Sequence, residues 1–140
     1  MSQIVKLLNI LYTPVNGVSL QAEIPSKLFT VLSIYVRDNL VHENLFCNTA
    51  NLFGVLGQSN LSTKEKVYEQ VALGMKRLVE ISKDKIGNWR KNAAILIAKC
   101  SSNLKVREAM DREHAMDVIK TIAHLIAGKW LNFCFICIWW

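Results

Sequence analysis

Two prolines and six glycines in 140 residues leave no basis for a collagen-like or low-complexity chain, and an apolar share of 51% is too high for disorder. The four cysteines come without a secretory signal, so they make no disulfide framework. Lys6 interrupts the first apolar stretch and Thr13-Pro14 follows it, in place of the basic start, long apolar run and small-residue cleavage site of a signal peptide. A reducing, cytoplasmic setting is the expectation. Asn60-Leu61-Ser62 spells a glycosylation sequon, which in such a setting reads as the start of a helix. Alternation with period two is missing over any useful length, which excludes a half-buried sheet.

What is present is amphipathic at helical spacing, and the fold class read from it is all-α. Ile4, Leu7, Leu8 and Leu11 make a short stripe that ends before Thr13-Pro14. Pro25 opens a second helix, with Leu28, Phe29, Leu32, Tyr35 and Val36 on one face. A third begins near Glu43 and carries Leu45, Phe46, Leu52, Phe53 and Leu56, with Gly54 and Gly57 bracketing its end. Ser62-Thr63-Lys64-Glu65 has capping-box spacing ahead of one run through Val67, Val71, Met75, Leu78 and Val79. Asn88 can cap the helix bearing Ala93, Ala94, Leu96, Ile97 and Cys100. A last piece starts near Val106, with a break near Glu113-His114, and carries Met110, Met116, Ile119, Ile122 and Leu125.

Sliding the chain by about 43 residues pairs these pieces. Ser59-Asn60-Leu61 falls on Ser102-Asn103-Leu104, Ala50 on Ala93, Val67 on Met110, Met75 on Val118 and Val79 on Ile122. One step earlier, Val18, Ile24, Leu32 and Val36 fall under Leu61, Val67, Met75 and Val79. Two clear copies and a degenerate third predict repeats over about 1–42, 43–86 and 87–127, within a domain at 1–128. A period of about 40 to 47 with two or three helices per unit is that of HEAT and armadillo arrays, and about three units bury a continuous core. The competing reading is two unrelated helical hairpins with a chance Ser-Asn-Leu match.

The stretch from Asn88 to Ile126 resembles an armadillo unit. In that family a long third helix, with a small residue where Ala93 stands and an apolar one at Ile97, leads through a polar turn and an Arg, here Arg107, into a short first helix; an apolar second helix follows, similar to Ala115 to Ile126. The resemblance implies an alpha-alpha superhelix. It departs from the peptide-binding members, whose Asn and Trp ladder is replaced by Lys99 and Ile95, and one repeat earlier by Leu56 and Leu52. The family's usual Gly between first and second helices is replaced by Glu113-His114. The Asn88 to Ala94 segment is similar to the divergent armadillo repeats of rotatin-type centriole and ciliary-base scaffolds, implying a cytoskeletal, centrosomal or ciliary-base location.

Catalytic patterns fail one by one. His42-Glu43 begins like a metalloprotease helix, but the second ligand would have to stand where Phe46 is. Cys134 and Cys137 have no companion pair, Cys47 and Cys100 sit at apolar phase as inert thiols, and His114 and His124 lack a nucleophile at a convincing spacing. The expectation is a protein that is not an enzyme, with no metal or cofactor.

Binding candidates are better. Asn44, Asn48 and Asn51 recur at i, i+4 and i+7 as an amide stripe opposite the core face, and carboxamides both donate to and accept from a partner's backbone. Shifted by 43, that stripe meets Gly87, Lys91 and Ala94. Lys83, Lys85, Arg90 and Lys91 around Trp89 suit an acidic segment or a stacked base; the plainer alternative is a solvated loop with Trp89 anchoring the next helix. The charge of +6 lies entirely from Ser62 onward, while residues 1–61 are balanced. The leading expectation is a protein-binding scaffold within a larger assembly protein, its partner carrying an acidic segment. The alternatives are a basic nucleic-acid-binding module, with steeply salt-dependent polyanion binding, and a small membrane-associated protein.

Residues 129–140 form an apolar tail in which the last eleven hold three of the four Trp and no charge, too short to span a bilayer. Ala127-Gly128-Lys129-Trp130 can be encoded GCA-GGT-AAG-TGG, which contains a consensus exon–intron donor junction, and the residues beyond are those of T-rich codons. The expectation is intron read-through after about Gly128, decided by whether genomic DNA carries GTAAG at Gly128-Lys129.

Overall fold

The computed structural model describes residues 2–12, 24–37, 42–58, 62–84 and 89–126. Every regular element in them is a helix: α1 (Ser2–Tyr12), α2 (Ser26–Arg37), α3 (Glu43–Leu56), α4 (Thr63–Leu73), α5 (Met75–Lys83), α6 (Trp89–Cys100), α7 (Leu104–Arg112) and α8 (Ala115–Ile126). The all-α class is therefore observed. The tail, Lys85, Asn88 and the left-hand members Val18 and Leu61 of two shift pairs lie outside the described residues.

The apolar periodicities become one core that runs from Val5 to Ile119. Val67, Val71, Met75 and Leu78 are fully buried, as are Ala93, Ala94, Leu96 and Cys100. The 43-residue shift pairs buried with buried at Val67 and Met110, Val79 and Ile122, Ala50 and Ala93, and one step earlier at Leu32 and Met75 and at Val36 and Val79, whereas Met75 falls on the half-buried Val118 and Leu104 is exposed. Helices related by the shift also touch. The α3 helix packs between α1 and α6, α4 packs on α7, and α5 on both α6 and α8, while α2 contacts α3 and α4. Phe46 stacks on Trp89, its own shift partner, with ring centroids 5.5 Å apart. Gly57 abuts its shift partner as well, since a Cβ there would lie 3.2 Å from Cys100 Sγ. Within the earlier half, Phe29 of α2 stacks on Phe53 of α3 at 5.4 Å.

Three local expectations change. On α1 the buried face is Val5 with Leu8 behind it, whereas Ile4 (51%), Leu7 (61%) and Ile10 (65%) are exposed. The apolar arc of this helix is wider than its contact with α3, which covers only the Val5 and Leu8 edge. Ser62 precedes α4 with helical angles and no side-chain cap hydrogen bond, so the capping box is not formed; Asn103 does cap, accepting from the Val106 N–H at 3.3 Å. Gly54 and Gly57 do bracket the end of α3: Gly54 lies in its last turn beneath the Lys99 stem, whose Cδ is 3.0 Å from where a Cβ would sit, and Gly57 is the C-cap. Finally, the run from Ser62 to Val79 is two helices, hinged at Gly74, where a Cβ would crowd Arg37 Cγ and Gln70 O at 3.3 Å each.

The break between α7 and α8 falls at Glu113-His114, as the sequence suggested, and it uses a costlier residue than glycine. His114 adopts φ 55°, the left-handed region where a Cβ is strained. His114 is exposed and leads into α8. Replacing His114 with glycine is expected to stabilise the protein by about 0.5–1 kcal/mol, and replacing it with valine to destabilise it by at least that much. Urea midpoints check both; a glycine variant less stable than the parent would mean that the histidine side chain contributes more than its backbone strain costs.

Candidate functional site

An exposed strip of amide and cationic side chains follows the seam between α3 and α6. Asn44 and Asn51 are exposed and Asn48 is half-buried, all at helical phase opposite the Phe53 core side. The stripe borders the residues of α3 that meet α6: Cys47, which Asn92 reaches with a side-chain hydrogen bond, and Gly54 under Lys99. On α6 the next residues round are Lys99, Ile95 and Lys91, spaced four apart on one face, with Lys91 exposed and the other two half-buried. The structure thus brings Asn44, Asn48, Asn51 and Lys91 to one side of the helix pair. The stripe does not continue to Ala94, which is buried against Ile122 and Val118.

The other candidates separate. Trp89 starts α6 and turns one ring face to Phe46, in the seam rather than on the surface. Arg90, about 100° round α6 from Lys91, is half-buried, with Nε buried and lacking a hydrogen-bond partner among the described residues. Lys83 is exposed in the last turn of α5. Lys85 lies outside the described residues.

Lys99 was missed as a site residue. Burial lowers its ammonium pKa from the ordinary lysine value, with Cys100 partly offsetting this. The Asn51 end of the strip therefore closes on a partly desolvated cation. The two described thiols offer no nucleophile at neutral pH. Burial, then Glu43, pushes Cys47 up to about 11 against the lowering bond from Asn92, and burial pushes Cys100 up to about 12. Among the described residues no group of three or more His, Cys, Asp or Glu is placed to hold a metal ion, and no helix is long and apolar enough to cross a membrane.

Sequence reasoning also overlooked a cleft of about 460 Å³ at the α4–α5 elbow, lined by Arg37, Leu73, Gly74, Lys76, Arg77 and Glu80. It exists only because the chain hinges at Gly74, and a run read as one straight helix has no such recess. The signal available was Lys76-Arg77 immediately after a glycine.

What the fold and the strip define is a class: an all-helical protein with an amide-and-cation surface along one helix seam. Comparison with protein-family models, with curated proteins and with solved structures finds no match.

Proposed function

We propose that the chain is an armadillo-like solenoid of about three repeats of roughly 43 residues, serving as a non-enzymatic protein-interaction scaffold within a larger cytoskeletal or centriolar and ciliary assembly. The observation that carries the reading is the stacking of shift-related helices, Phe46 on Trp89 and Gly57 on Cys100, beside an exposed amide stripe. Like elements stacked at a fixed sequence interval are what a repeat array produces. The exposed Ile4, Leu7 and Ile10 on α1 support a place in a larger body, because an apolar helix face of this kind is normally covered.

The partner is an extended protein segment with acidic residues. Asn44, Asn48 and Asn51 would pair with its backbone, and Lys91 and Lys99 with its carboxylates. Affinity capture with the full chain tests this, comparing the parent with Asn44→Ala/Asn51→Ala and with Lys91→Glu. A partner retained by the parent and lost by both variants is the expected result. Partners retained equally by all three would remove the α3–α6 seam as the binding face, and binding only of polyanions, collapsing with added salt, would favour the nucleic-acid reading.

A further inference from the structure

The elbow cleft lies on α2, α4 and α5, away from the α3–α6 strip, and its chemistry is different. Arg37, the last residue of α2, donates from Nη1 to Gln70 Oε1 at 2.8 Å, which lays its stem over Gly74 and holds its guanidinium at the rim. Arg77 forms a buried wall, 7% exposed, donating from Nη1 to the Tyr35 carbonyl at 3.1 Å. Lys76 is exposed beside it. Among the described residues, two exposed cations, Arg37 and Lys76, therefore flank one carboxylate, Glu80, with the buried Arg77 behind them. Among the described residues no ion pair joins Lys76 to Glu80, a helical pair in the weaker order with the lysine first. Leu73, 66% exposed, adds an apolar rim.

We propose that this cleft is a docking site for an acidic peptide segment of a partner protein, taking an Asp or Glu side chain between the exposed Arg37 and Lys76, with the buried charge of Arg77 behind them, and an adjacent apolar side chain against Leu73. Guanidinium forks suit a carboxylate in a way that bulk water does not disrupt as readily as it does an isolated surface pair. A nucleic-acid strand is a poorer occupant. It needs a continuous basic track with aromatic stacking platforms, and among the described residues this cleft has a carboxylate in its wall and no aromatic ring in its lining. The exposed Leu73 would face a hydrated phosphate without gain, but an apolar neighbour of a carboxylate covers it. The Gly74 hinge is what permits the site, since it lets Arg37 of α2 approach the start of α5.

The test is fluorescence anisotropy with the full chain at near-physiological ionic strength. The probes are a labelled peptide alternating Glu and Leu, the same peptide with Gln for Glu, a labelled oligothymidylate, and inorganic phosphate as competitor. The parent is expected to bind the Glu–Leu peptide at least about tenfold more tightly than the Gln–Leu peptide, with phosphate a weak competitor. Lys76→Glu should weaken the Glu–Leu peptide about tenfold and Leu73→Ser a few-fold, while Asn44→Ala/Asn51→Ala leaves it unchanged, so this site and the α3–α6 strip succeed or fail separately. Both substituted side chains are exposed, and unchanged circular dichroism melting verifies that the variants fold; Lys76→Ala serves if Lys76→Glu does not. Equal affinity for the Glu and Gln peptides, no response to a folded Lys76 variant, or oligothymidylate binding more tightly than the peptide through this cleft would each overturn the proposal.

Discussion

Replacing Phe46 with alanine is expected to cost about 4 kcal/mol of folding stability, the largest loss from any single truncation in the seam. The ring is fully buried where three helices meet. From α3 it stacks on Trp89 of α6 at 5.5 Å and lies 5.2 Å beneath the Arg77 guanidinium of α5. Truncation to alanine removes the transfer energy of a buried aromatic side chain and leaves a cavity that stacked helices cannot close without shifting, together about 3–5 kcal/mol. The aromatic pair is worth about 0.5–1.5 kcal/mol and the cation over the ring a similar amount, and these overlap with the burial term instead of adding in full. For a domain with a typical 5–15 kcal/mol in hand, such a loss moves the protein toward partial unfolding at ambient temperature. Phe46→Leu keeps most of the volume and should cost about 1–2 kcal/mol. Urea denaturation followed by circular dichroism separates the two. An alanine variant within about 1 kcal/mol of the parent would mean that α3, α5 and α6 do not share this ring.

The same residues show what a sequence can and cannot reveal. Val67, Val71, Met75, Leu78 and Val79 were readable as core because apolar residues at helical spacing have only one way to face inward together. The burial of Val67 and Met110 and of Ala50 and Ala93 was readable because each lies on the apolar face of its own helix. The orientation of α1 was not, since Ile4, Val5, Leu7, Leu8 and Ile10 form an apolar arc wider than the contact with α3, and only that contact selects Val5. Gly74 was hidden inside an unbroken apolar rhythm. A glycine within a helix is tolerated often enough that its role as a hinge emerges only once Arg37 is seen pressing on it. The binding candidates divide in the same way. Asn44, Asn48 and Asn51 share a face by local helical phase alone, whereas Trp89 in the seam and Lys99 over Gly54 take their meaning from α3, far away in the chain.

Arg77 carries the second large effect, and its sign depends on what replaces it. In the first turn of α5 its guanidinium is buried, donates to the Tyr35 carbonyl in the last turn of α2, and covers the face of Phe46. A cation at that place satisfies a helix C-terminal carbonyl and is attracted by both the α2 dipole and the ring quadrupole. Arg77→Glu reverses all three terms. It removes the donor, sets a carboxylate against the negative end of α2 and against the electron-rich ring, and keeps a charge out of water. One opposing term exists: an acidic group near the N-terminus of α5 gains about 0.3–1 kcal/mol. Losing the hydrogen bond leaves a carbonyl short of its donor at about 1–3 kcal/mol, and an uncompensated buried charge costs about 3–5 kcal/mol, so the destabilising side wins by roughly 4 kcal/mol. Arg77→Leu also loses the donor but buries no charge, and should cost no more than about 2 kcal/mol. Urea midpoints of the two variants therefore differ by a margin that sterics alone cannot supply, since Leu and Glu are close in size. A glutamate variant no less stable than the leucine variant would refute the electrostatic role of Arg77. A double-mutant cycle between Arg77→Leu and Phe46→Leu completes the argument: residues in contact through a cation and a ring should couple by about 0.5–2 kcal/mol, and strictly additive losses would place the guanidinium elsewhere.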